Sequence, residues 1–273
     1  MNSELPQLAR LVAAAYLEAV DAVAPGLVEG LYLTGSVALR DFRPSASDVD
    51  FVAVTRAPLG VAQLQALDRA HARVRARFPR PAFEGIYVTW AELGRDPLSA
   101  PPGPHAHEGR LHRSGRAERH PVTWHTLASH GVAVRGPGRE ALAIWTDPRG
   151  LATWTLGNLC SYWQPWRVRR ARLISAEGLR CLGSWAPSWG VLGVSRLHYS
   201  LATGQITSKS GAGDYALEAF PARWHRVVAE CLRIRRGGSG PSLYLTPLAR
   251  RREALAFIAM VIDDAPRLAR TLW

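Results

Sequence analysis

Two aspartates one residue apart, Asp48 and Asp50, stand in a run that otherwise has the makings of a hydrophobic strand, with Val49, Phe51, Val52 and Val54 around them. Side chains alternate across a strand, so both carboxylates share one face, about 7 Å apart. Like charges held that close repel, and a divalent cation offsets them. Magnesium commonly takes one or two carboxylates together with phosphate oxygens. Gly35-Ser36 precedes the pair by eleven intervening residues, at a strand end where free backbone N–H groups can receive an anion. Glu84 lies on a later strand, placed either to complete a metal site or to take the proton of an attacking hydroxyl. The set suits metal-assisted displacement on a nucleoside triphosphate. Gly35, Ser36 and Ser47 fall on its nucleotide side, and Asp48, Asp50 and Glu84 on its metal and proton side. Each piece alone has a plainer meaning: Gly-Ser as a turn, Asp-x-Asp as a strand end meeting solvent, Glu84 as a charge guarding an edge strand. In this order, each on a fitting element, they point to a site.

The elements that must hold these residues follow from periodicity. Leu8, Leu11, Val12, Ala15, Ala19 and Val20 mark an amphipathic first helix, without the basic start and unbroken apolar centre of a signal peptide. Strands are expected over Gly30–Thr34, Val49–Thr55 and Ala82–Trp90, with a helix from Val61 to Val74 between the last two. Residues 97–121, rich in Pro, Gly, His and Arg, show no period and suggest a long loop. His105, His107, His112 and His120 within it lack the Cys, Asp or helical spacing of a metal centre. A short helix and strand over 122–137 close an α/β domain near Gly138. From Glu140 the spacing is helical, over Leu151–Cys160, Val168–Leu182, Val191–Thr203, Ala222–Ile234 and Leu255–Asp264. The predicted class is α+β, with an α/β domain over 1–138 and an all-helical domain over 139–273.

Composition narrows the classes. No apolar run is long enough for a membrane span. Cys160, Cys181 and Cys231 are too few and too scattered for a disulfide framework or a zinc site, which fits a reducing cytoplasm. The net charge of +12 allows nucleic acid as a partner but does not favour it, because dense runs occur only at Arg167–Arg172 and Arg233–Arg236. Trp154, Trp163, Trp166, Trp185 and Trp189 belong mainly to a helical core, with one or two free to face a ligand. Lys209 is the only lysine in a chain that otherwise uses arginine, which marks it as functional.

The carboxylate layout resembles the active site of the nucleotidyltransferase superfamily, the polymerase-beta-like fold. The segment Val191–Val228, with its Ser-Arg, Tyr-Ser, Thr-Gly-x-Ile and Ser-Lys landmarks, resembles the helical domain of the aminoglycoside adenylyltransferases that modify streptomycin and spectinomycin. That resemblance implies a cytoplasmic, monomeric two-domain enzyme using ATP and Mg2+. In the family, residues matching Arg196 and Lys209 contact the nucleotide phosphates, and the glutamate matching Glu84 is the catalytic base. The acceptor implied is a small-molecule hydroxyl, with pyrophosphate released. The chain departs from the family in three places. Gly183–Val194 has no acid where the family holds cationic drug groups, the loop before the domain crossover lacks the family tryptophan, and Arg235 stands where a tyrosine is common. Transfer to RNA, protein or another metabolite, and an inactive nucleotide-binding homologue, remain as alternatives.

Overall fold

The computed structural model describes residues 5–238 and 240–272, and the chain divides into two units, Met1–Asp147 and Pro148–Trp273. The first contains, in chain order, α1 (Gln7–Asp21), β1 (Gly30–Leu33), α2 (Gly35–Ala38), β2 (Val49–Thr55), α3 (Val61–Arg77), β3 (Phe83–Thr89), α4 (Trp90–Leu93), β4 (Gly103–His107), β5 (Arg110–Gly115), α5 (Pro121–His130) and β6 (Val132–Arg135). The strands form one sheet in the order β5-β4-β3-β2-β1-β6. β2 and β3, linked by α3, run parallel, and the other neighbours are antiparallel.

Alternation along the central strands gives the sheet a core on each face. Val49, Phe51, Ala53, Phe83 and Tyr87 pack under Val12 and Tyr16 of α1 and Leu67, Ala70 and Val74 of α3. Val52, Val54, Ile86 and Val88 point the other way, against Leu93, Trp124 and Leu127. Each such fully buried side chain contributes roughly 1.5–3 kcal/mol. The second core draws in Leu142, Ile144 and Trp145, whose backbone N–H donates to Leu93 O at 2.8 Å. The division therefore falls at Asp147, beyond the 138 suggested by the sequence.

Residues 97–121 do not form a structureless loop. They carry the hairpin β4–β5, joined by the two-residue turn Glu108-Gly109 and paired to β3. The four histidines disperse: His105 and His112 stack across the hairpin with ring centroids 4.8 Å apart, His107 meets Glu84, and His120 lies 3.3 Å from Glu118.

The second unit is helical: α6 (Pro148–Asn158), a π-helical turn over Leu159–Trp163, α7 (Gln164–Ala171), α8 (Ala176–Arg180), α9 (Trp185–Thr203), α10 (Lys209–Ala219), α11 (His225–Arg235) and α12 (Pro247–Leu272). α9 runs through its core, where Val191, Leu192, Val194 and Leu201 meet Trp163, Trp166, Val228, Phe257 and Ile258. A Cβ on Gly193 would lie 2.3 Å from the Trp163 ring, so glycine there lets the indole seat against the helix. Glu230, fully buried, accepts from Arg233 Nε at 2.8 Å, Ser242 Oγ at 2.7 Å and Leu243 N at 3.0 Å, and lies 3.4 Å from Arg250. Burial pushes its carboxyl up, but these donors, Arg233 first, outweigh that and hold the pKa at about 2. No helix among the described residues is long and apolar enough to cross a membrane.

Candidate active site

The register of β2 and β3 sets Asp50 beside Glu84, one alternation before the apolar pair Val52 and Ile86. Neighbouring strands lie about 4.8 Å apart, so the two acids are adjacent on one face. Asp48, just ahead of β2, lies near enough for its charge to act on Glu84. β3 is an inner strand of the sheet, so Glu84 does not guard an edge. Its side chain is 19% exposed. Burial pushes its pKa up, and Asp48 adds to the rise, while the Glu108 N–H and His107 pull against it.

Backbone at the end of β1 is shaped around Asp50. Thr34 N–H donates to Asp50 O at 2.9 Å. Gly35 follows at φ +52°, and a Cβ there would lie 1.8 Å from Asp50 Oδ2, so only glycine admits both the turn and the carboxylate. Ser36 Oγ, next in line, is buried with no partner among the described residues. A buried hydroxyl is rarely left so, and a phosphate oxygen is the kind of group that would complete it. Ser47 Oγ accepts from Arg43 N at 3.0 Å, which ties down the turn ahead of Asp48.

On its other side Glu84 is met by the hairpin. Its Oε1 accepts the Glu108 N–H at 2.7 Å, and its Oε2 lies 3.2 Å from His107 Nδ1. Sequence reasoning missed both partners. The Glu-Gly pair inside "HAHEGRLHR" is the signal that could have found them. Among the described residues no three His, Cys, Asp or Glu side chains converge into a metal cage. The donor set instead fits a cation that two carboxylates share with a phosphate ligand, the usual habit of magnesium.

In the helical unit, Arg196 lies on α9 and is half-buried. Lys209 opens α10 behind Ser208, whose hydroxyl caps the helix by accepting from Gly211 N at 3.0 Å, and its Nζ lies 4.2 Å from the Trp189 ring centroid. Trp163 and Trp166 are buried, whereas Trp185 is 64% exposed and stacks on Trp189 at 5.4 Å.

Residues 167–246 match the aminoglycoside adenylyltransferase C-terminal domain. The likeness read from the Ser-Arg to Ser-Lys landmarks thus holds across most of the helical unit. No curated protein matches the chain. Among solved structures the chain is similar to spectinomycin adenyltransferase AAD(9) from Enterococcus faecialis, a structure with ATP and spectinomycin. The TM-score is 0.68 at 13% identity, covering 94% of this chain and 98% of that one. At that identity the likeness is one of fold: a mixed sheet with helices followed by a helical unit.

Proposed function

We propose that this chain is an adenylyltransferase, moving AMP from ATP to a hydroxyl of a small molecule of the aminoglycoside or aminocyclitol kind and releasing pyrophosphate. The observation that carries the reading is the pairing of Asp50 with Glu84 on adjacent parallel strands, with the Asp48 charge close enough to act on Glu84 and Gly35 shaped around Asp50. The match of residues 167–246 and the fold shared with a protein solved with ATP and spectinomycin support it.

In this reading Asp48 and Asp50 hold Mg2+, which when bound neutralises charge on the triphosphate. Ser36 and the amides following Gly35 receive phosphate oxygens. Glu84 accepts the proton of the acceptor hydroxyl as its oxygen bonds to the α-phosphorus and the bond to the bridging oxygen of pyrophosphate breaks. A carboxyl whose pKa is raised by burial suits that task better than an ordinary surface acid. Arg196 and Lys209 contribute positive charge to the nucleotide phosphates.

The acceptor class has a second reading with an observation behind it. Gly183–Val194 lacks acids, and its exposed ring, Trp185, stacks on a tryptophan already faced by the Lys209 ammonium. That surface favours an acceptor with fewer cationic groups than streptomycin. Pyrophosphate release from Mg-ATP, screened over aminoglycosides, aminocyclitols, neutral metabolites and tRNA, tests both. Acceptor-dependent release with an aminocyclitol supports transfer, and release with RNA alone replaces the small-molecule reading.

A further inference from the structure

We infer that His107 is the positioning residue of Glu84, the third member of a row Asp50–Glu84–His107 that crosses three strands. The row follows from two registers. β2 and β3 pair Asp50 with Glu84, and β3 and β4 pair Gly85 with Ala106, so the next antiparallel step sets His107 opposite Glu84. The contact distances agree: His107 Nδ1 is 3.2 Å from Oε2, and the Glu108 N–H is 2.7 Å from Oε1. Against a carboxylate the ring nitrogen acts as donor. Each oxygen then has one lone pair engaged from the hairpin, which fixes the plane of the carboxylate and leaves its other lone pairs for an incoming proton.

The hairpin is built to hold that clamp in place. Its turn puts Glu108 at φ 49° and Gly109 at φ 65°, the two positive values that a tight two-residue hairpin loop requires. Positive φ is unfavourable for glutamate, and a residue held there at a candidate site points to a constraint on its backbone. The N–H so presented is the one that Glu84 accepts. From behind, Arg75 donates through its terminal nitrogen to Gly109 O at 3.0 Å, and the stacked His105 and His112 rings stiffen the ladder. His107 itself is 64% exposed, so packing does not explain its place in the hairpin. A base oriented by a third group is the arrangement that keeps proton transfer in line with attack.

This inference rests on the adenylyl-transfer reading, with Glu84 as base. The test compares wild type, Glu84→Gln, His107→Phe and His107→Asn in pyrophosphate release, with ATP affinity by calorimetry and melting temperature alongside. His107→Phe is expected to lose about ten- to a hundredfold in kcat, with ATP affinity and melting temperature unchanged. His107→Asn, which keeps an N–H donor, is expected to recover most of the loss. If His107→Phe folds poorly, His107→Ala, which adds no bulk at an exposed position, takes its place. Normal kcat in His107→Phe, or equal losses in the Phe and Asn variants, overturns the positioning role while leaving transfer intact. Release that survives Glu84→Gln undiminished overturns the reading of Glu84 as base, and the inference with it.

Discussion

Asp50 and Glu84 face each other across a parallel pair of strands, on the same side of the sheet as Val52, Val54, Ile86 and Val88. One face of one strand pair thus carries carboxylates at its beginning and core further along. The two acids need not be contiguous in sequence, because the α3 crossover returns the chain in parallel register and brings them together.

Replacing either member of the aspartate pair tests the metal. Asp48→Asn and Asp50→Asn are expected to abolish Mg2+-dependent release while the melting temperature holds or rises slightly, because each removes one of two repelling charges. Turnover near wild type in Asp50→Asn, measured by pyrophosphate release at saturating Mg-ATP, contradicts the assignment.

Gly35→Ala separates shape from charge. The new Cβ would fall 1.8 Å from Asp50 Oδ2 at φ +52°, so the carboxylate or the turn must move. The left-handed conformation alone costs a non-glycine residue about 1–2 kcal/mol. Both a lowered melting temperature and a loss of activity of about a hundredfold are expected. Full activity would show that the Asp50 carboxylate need not sit against the turn after β1.

A lysine that opens a helix over a tryptophan has two duties to tell apart. Lys209→Ala is expected to weaken ATP binding by about 1.5–3 kcal/mol, the range for hydrogen bonds to charged groups. Lys209→Met keeps the packing on Trp189 without the charge. Equal ATP affinity in wild type and Met variant, by calorimetry with Mg2+ present, would reduce Lys209 to a partner of Trp189.

The sequence made the central strands plain and hid the edge. β2 has the bounds that its apolar run suggests, because its residues are buried nearly throughout, and the same holds for β3 within a residue at each end. The β4–β5 hairpin escaped notice because β5 is exposed along most of its length, so no apolar alternation records which way its side chains point. α10 was hidden for the opposite reason. Its Gly213 is needed where Leu232 approaches, a Cβ there lying 2.4 Å from Leu232 Cδ2, and glycine dilutes a helical signal. With α10 went the setting of Lys209, and with the hairpin went His107. The carboxylates were legible from type and spacing, whereas the groups that steady them depended on an edge strand whose composition says little.

Acid should loosen the first unit through His71. On α3 and buried against Tyr16 of α1, Phe51 of β2 and Phe83 of β3, its Nε2 lies 2.7 Å from the Tyr87 hydroxyl, and burial, with a smaller push from Arg75, lowers its pKa to about 3. The folded value lies below the ordinary 6.5, so the unfolded chain binds the proton more readily. Stability is whole above pH 6.5 and falls as pH drops from there towards 3. Down to about pH 5 this amounts to about 1–2 kcal/mol. Hydrogen exchange of the buried β3 amides Ile86 and Val88 at about pH 7 and about pH 5 should register it, and His71→Gln should flatten the difference.

Whether Glu84 takes the acceptor's proton beside a cation held by Asp48 and Asp50 is decided by one comparison. With Mg-ATP and an acceptor that supports release, Glu84→Gln and Asp50→Asn are measured for both turnover and ATP binding. Glu84→Gln is expected to bind Mg-ATP like wild type yet to turn over roughly a hundred to ten thousand times more slowly, whereas Asp50→Asn is expected to lose both. Loss of Mg-ATP binding in Glu84→Gln would make Glu84 a metal ligand first, and turnover near wild type in that variant would rule Glu84 out as the base.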